Sequence, residues 1–125
     1  MPVVLNSSFD AERGLVVAEV GYGHGGYRTV ELDALVSWNV VRSLEALALC
    51  DCPRIIVQMG RVSVLDSATL WALVDLGRKL RHRGGGLALL GLQPPQLELL
   101  ELTGNRAVAR PFDTLEEAAA ALGGR

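Results

Sequence analysis

The chain has 125 residues, 50% of them hydrophobic and 21% charged, a composition that suits one packed domain, leaves little room for a second and excludes disorder. A formal net charge of -2 argues against a nucleic-acid partner held by bulk positive charge. No apolar run approaches the roughly 18 to 20 residues of a membrane-spanning helix. Residues 1–10 lack the basic and apolar regions of a signal peptide, so a soluble, cytoplasmic protein is expected.

In chain order, residues 3–9 and 14–20 are predicted as two strands joined by a turn near Glu12-Arg13-Gly14. A glycine-rich segment follows, Gly21-Tyr22-Gly23-His24-Gly25-Gly26, and then a short extended piece from Tyr27 to Leu32. From Asp33 to about Leu49 the pattern is helical, with Val36, Val40, Leu44 and Leu47 on one face and Asp33 placed as N-cap. Cys50 and Cys52 flank Asp51 ahead of Pro53. A lone pair at that spacing is no disulfide framework, and a metal would need ligands beyond the two histidines, His24 and His82, so free thiols are expected.

Arg54 to Met59 reads as a strand buried on both faces through Ile55-Ile56-Val57, and a short turn follows. The pair Asp66-Ser67 then opens a helix to about Arg83, with Leu70, Leu73, Val74, Gly77 and Leu80 on its buried face. Basic residues from Arg78 to Arg83 match the C-terminal dipole, and Gly84-Gly85-Gly86 supplies a left-handed stop; a solvated helix end explains this cluster better than an anion site. Next come a strand Leu87–Leu92, a short helix from Pro94-Pro95 to Gly104, a strand near Ala107–Phe112, and a last helix that Asp113 and Glu116 would cap. Strands alternating with helices imply a small α/β sandwich with a mostly parallel sheet and a hairpin-like N-terminal edge.

Three chemistries need weighing. Gly21-x-Gly23-x-x-Gly26 matches a dinucleotide fingerprint in letters only, because Tyr27-Arg28-Thr29-Val30 favours extended structure where a helix should open, and the next strand ends at Gln58 without the ribose-binding acid. Nucleophilic catalysis by Ser67 lacks the Gly-x-Ser-x-Gly elbow and a positioned base, since His82 lies at the far end of the same helix, about 20 Å away, and nothing in the sequence positions His24, which spacing alone leaves open. The third concerns Ser67 as a hydroxyl at a helix N-terminus, where free N–H groups and the dipole favour negative charge. Such a serine either caps the helix or carries a phosphate.

The strand–turn–Asp66-Ser67–helix unit, the Gly84-Gly85-Gly86-Leu87-Ala88-Leu89-Leu90 strand, Leu99-Leu100-Glu101-Leu102-Thr103-Gly104 and Leu115-Glu116-Glu117-Ala118 together resemble the STAS domain family, over residues 3 to 122. Glu31-Leu32-Asp33 is similar to the family's Glu-Leu-Asp element. The resemblance implies one STAS-like domain over residues 1–125, with the architecture above. It also implies a non-enzymatic anti-sigma factor antagonist, whose partner is an anti-sigma factor that is itself a serine kinase. Ser67 then matches the phosphorylated serine, and Asp33, Ser63, Asp66, Ser67 and Thr69 make up the partner-binding face, with no cofactor and no metal. Two positions depart from the family pattern: Gln58 stands where an Asp is usual, and Thr69 where a Gly is usual. Thr69 and Ser63 are the fall-back acceptors. Two alternatives stay open: a phosphorylation-silent STAS scaffold or transporter-associated subunit, and a small nucleotide- or ligand-binding domain that uses the glycine loop.

Overall fold

Ile55-Ile56-Val57 and Leu87-Ala88-Leu89-Leu90 are apolar at every position, so the sheet that contains them must be covered on both faces. The computed structural model describes residues 3–10, 14–22, 30–32, 42, 46, 54–60, 62–65 and 67–122. Its strands in chain order are β1 (Val3–Asp10), β2 (Leu15–Tyr22), β3 (Val30–Leu32), β4 (Arg54–Gln58), β5 (Val62–Leu65), β6 (Gly86–Leu90) and β7 (Ala109–Phe112). Its helices are α1 (Ser67–His82), α2 (Pro94–Leu102) and α3 (Leu115–Leu122). Arg42 and Ala46 are also helical and exposed, while the rest of the helix predicted over 33–49 lies outside the described residues, as do Cys50 and Cys52.

The main sheet has the order β1-β2-β4-β6-β7. β1 is antiparallel to β2 at one edge, and β2, β4, β6 and β7 run parallel. This is the mostly parallel α/β sheet with a hairpin edge that the sequence predicts. A second sheet, of β3 and β5 in parallel, is not among the sequence expectations. The stretch after β4, read as a plain turn, contains the four-residue strand Val62–Leu65, whose partner is remote in sequence and only three residues long.

Successive residues of a strand point to opposite faces, and two clusters result. Val16, Ala18, Ile55, Val57, Leu87 and Leu89 join the inward residues of α1 together with Leu100 of α2. Leu15, Ile56, Ala88 and Leu90 pack against Ala118, Ala119 and Leu122 of α3 on the other face. Each fully buried Leu or Ile contributes roughly 1.5–3 kcal/mol against leaving it in water. The predicted inward face of α1 holds: Leu70, Leu73, Val74, Gly77 and Leu80 are buried, with Thr69 and Leu76 beside them, while Asp75, Arg78, Lys79 and His82 are exposed.

Two helices end in the same way, and glycine is required at each end. The Gly84 N–H donates to Arg81 O (3.0 Å) and the Gly85 N–H to Leu80 O (2.9 Å), with Gly84 at φ 82°. At the end of α2 the Gly104 N–H donates to Glu101 O (3.2 Å) and the Asn105 N–H to Leu100 O (2.9 Å), with Gly104 at φ 72°. Both are Schellman motifs, in which a left-handed residue turns the chain so that orphan carbonyls are satisfied. The expected capping pair at α3 shifts by one residue: the Thr114 hydroxyl accepts the Glu117 N–H at 3.2 Å, because α3 begins at Leu115 and Asp113 lies one position too early to cap it.

Candidate functional site

In parallel α/β sheets, sites form outside the carboxyl ends of the strands. Here that end gathers the exits of β4 and β6 with the start of α1. The Met59 N–H continues the ladder beyond β4 by donating to Leu90 O at 2.7 Å. The Gln58 side chain folds forward, and its Oε1 accepts the Gly60 N–H at 2.8 Å. Gln58, where the family pattern has an acid, therefore ties down the first loop residues with a neutral acceptor. Gly91, at φ 75°, lies against them so closely that a side chain there would start 2.7 Å from Gly60 N and Cα. Only glycine permits both that dihedral and that contact.

The chain returns through β5 to α1. Val30 pairs with Val62 and Glu31 with Val64, so Ser63 falls in a bulge between them. Leu32 and Leu65 are Cα partners. The residues that follow them, Asp33 and Asp66, lie outside the described residues, as does most of the glycine-rich loop. Gly21 and Tyr22 belong to β2, where Gly21 pairs with Val4.

Ser67 is the first residue of α1 and is exposed, like Ala68, whereas Thr69 and Leu70 are each only 1% exposed. The first turn of α1 carries no acidic residue. An added negative charge at Ser67 would meet the positive helix end, with Asp66 adjacent in sequence as the nearest carboxylate and none within the turn itself. One turn on, four residues from Ser67 and on the same face, Trp71 keeps 40% of its surface exposed. Trp71 is not among the sequence-predicted residues; its spacing of four from Ser67 is the signal that could have found it. Next on this face is Asp75, whose Oδ2 is 3.3 Å from Lys79 Nζ, with both side chains more than half exposed, a pair worth about 0.3–0.5 kcal/mol. Ser67 and His82 stand at opposite ends of α1, about 22 Å apart. Among the described residues no cluster of His, Cys, Asp and Glu could hold a metal ion, and no helix is long and apolar enough to cross a membrane.

Residues 28–118 match the STAS domain family. No curated protein matches the chain in sequence. Among solved structures, the chain is similar to TM1081 of Thermotoga maritima, with 15% identity, 94% of this chain and 93% of that one covered, and a TM-score of 0.73. It is similar to an anti-sigma factor antagonist from Mycobacterium paratuberculosis, with 19% identity, 95% and 94% covered, and a TM-score of 0.71. It is also similar to the Bacillus cell fate determinant SpoIIAA in its phosphorylated form, with 19% identity, 94% and 98% covered, and a TM-score of 0.67. At such identities the likeness is one of fold.

Proposed function

The chain belongs to the STAS domain family, and on that premise we propose that it is an anti-sigma-factor-antagonist-like partner switch, regulated by phosphorylation of Ser67. The role is binding rather than catalysis, and the partner is an anti-sigma factor that is also the serine kinase. One observation carries the reading: of the two hydroxyls in the first turn of α1, Ser67 is open to an enzyme and Thr69 is sealed beneath it. On this reading Thr69 supports the partner face from inside rather than touching the partner, and Asp33, Ser63 and Asp66 are the further residues that the family resemblance assigns to that face. Trp71 adds a half-exposed aromatic of the kind that anchors protein interfaces.

The physics of the switch follows from placement. A phosphate brings about -1.5 to -2 charges and three acceptor oxygens. At the start of α1 it is tolerated by the fold, which the phosphorylated state of SpoIIAA supports by sharing this architecture. Against a closely packed partner the same group adds bulk and must be desolvated, so the partner leaves. Intact mass spectrometry with site mapping, on protein incubated with ATP and the anti-sigma-type kinases of its source cell, tests this reading. One phosphate at Ser67 that releases a bound kinase supports it. Tight binding with no change of mass would instead make the protein a phosphorylation-silent scaffold or transporter-associated subunit.

A further inference from the structure

At the opposite pole from Ser67, the amino ends of the parallel strands enclose a cavity of about 480 Å³. Three arginines line it, each from a different element: Arg54 opens β4, Arg81 lies in the last turn of α1, and Arg110 is in β7. Their convergence follows from strand pairing. Arg54 is the Cα partner of Gly86 and Arg110 that of Ala88. Ile56, two residues beyond Arg54, and Ala88 belong to the cluster under α3, so alternation sends Arg54 and Arg110 to that same face. The last turn of α3 closes one side of the cavity: Leu122 Cδ2 would lie 3.0 Å from a side chain at Gly86. Arg81 reaches this space beside the Gly84-Gly85-Gly86 turn. The Arg110 guanidinium stands 5.3 Å from the Phe112 ring centre, a stacked arrangement that holds it in place.

We propose that this cavity binds a small oligo-anion, bearing phosphoryl or carboxylate groups, in the fork of Arg54, Arg81 and Arg110. The charge balance decides between a ligand site and mere helix capping. The C-termini of α1 and α3 border the cavity and contribute roughly half a negative charge each, against three full positive charges, which leaves about +2. Arg54 also makes an interaction of its own; with its charge set aside entirely, the balance is still about +1. The α1 carbonyls are in any case already satisfied by Gly84 and Gly85. No carboxylate lines the cavity among the described residues. By contrast, the cavity of about 240 Å³ beside Gly91 sets one cation, Arg106, against two carboxylates, Asp113 and Glu117, and is net negative. A neighbouring recess of about 290 Å³ shares Arg81 and adds Arg78, which extends the positive field. Guanidinium forks match phosphate and carboxylate oxygens in pairs, and a cleft lined by one sign of charge concentrates counter-ions. The basic helix end is solvated as the sequence predicts, with Arg78, Lys79, Arg81, His82 and Arg83 exposed; the proposed site adds Arg54 and Arg110, which are distant in sequence and which only the fold brings to Arg81. It does not rest on the partner-switch reading, and α1 holds the two sites about 20 Å apart.

The test is calorimetric titration of the full chain with pyrophosphate and, separately, with citrate at low salt, with backbone amide NMR shifts recorded alongside. One equivalent is expected to bind, to shift the Gly84, Gly85 and Gly86 signals, and to weaken as salt is added. Arg81→Gln, an exposed position whose loss leaves the core intact, should weaken it about tenfold or more, and Arg106→Gln should leave it unchanged. Binding of pyrophosphate alone assigns phosphoryl ligands, of citrate alone carboxylates, and of both the shared class. The proposal is overturned by no binding of either at millimolar concentration, by equal affinity in Arg81→Gln, or by shifts confined to the Ser67 end.

Discussion

Gly77→Ala sets two established effects against each other at one buried position of α1. In an open helix the change would stabilise by about 1 kcal/mol, since alanine is the best helix former and glycine among the worst. The structure predicts the opposite sign. A methyl at Gly77 would sit 2.4 Å from the Val108 carbonyl oxygen and 3.0 Å from the Val108 carbonyl carbon and Cγ1. Ordinary carbon–oxygen contacts lie at about 3.3 Å, so the overlap is about 0.9 Å, and against backbone rather than a flexible side-chain end. Val108 cannot retreat freely, because its N–H donates to Asn105 O at 3.1 Å and Asn105 Oδ1 accepts from Arg78 Nη2 at 3.2 Å. Overpacking of this kind costs about 1–3 kcal/mol, and rigid neighbours place it at the upper end. The net effect is a destabilisation of about 2 kcal/mol, read as a fall in Tm of roughly 5–10 °C for a chain of this size. Thermal and urea unfolding of the variant, at unchanged m value, are the assays. A rise in Tm would mean that helix propensity wins, and would refute the close contact between α1 and the 106–108 turn.

At the switch, Ser67→Ala should leave stability within about 0.5 kcal/mol, keep partner binding and abolish phosphorylation, whereas Ser67→Asp should weaken binding. Phosphate still found in Ser67→Ala would point to Ser63 or require Thr69 to become exposed. Asn105 is 8% exposed and, besides accepting from Arg78, donates through Nδ2 to Thr103 Oγ1 at 3.0 Å. Asn105→Ala leaves both partners short and should cost about 1–3 kcal/mol in chemical denaturation. Thr114→Ala removes the α3 cap and should cost about 1 kcal/mol, with Thr114→Asp restoring most of it and Asp113→Ala changing little.

Much of the fold is legible in the sequence because its signals are local. The spacing of Leu70, Leu73, Val74, Gly77 and Leu80 marks α1, and Gly84 and Gly104 mark where two helices must stop. The all-apolar runs of β4 and β6 require a sheet covered on both sides. What escapes is non-local. β5 is visible only once β3 lies beside it, since four residues carry too little pattern to declare a strand. The burial of Thr69 beside exposed Ser67 and Ala68 depends on which arc of α1 meets the sheet, although the helical spacing does place it next to Leu70 and Leu73. The Gln58 contact with Gly60 is not encoded in residue type at all, because a glutamine at a strand end reads as a solvated polar residue. The arginine cavity is the extreme case, with three residues from three elements and no spacing that links them.

The uniformly apolar β4 has an ambiguity built into it. A strand with one wet face resists a one-residue slip along its whole length, because a slip would bury its polar set; in β4 a slip exchanges the faces of Ile55-Ile56-Val57 at no polar cost and is opposed only where it draws Arg54 or Gln58 inward. Its alignment must be fixed at its ends, and the carboxyl end supplies three checks: the Met59 bond to Leu90, the Gln58 bond to Gly60, and the seating of Gly60 on Gly91. A slip breaks the first and the last together, while the Gln58 bond travels with the strand and holds Gly60 in the shape that Gly91 receives. The loop that leads toward Ser67 is thus also the stop that sets the central strand in frame. If this face binds a partner as proposed, residues 58–60 and 91 are for that reason poor places to alter partner preference, and exposed positions such as Ala68 and Trp71 are the better ones.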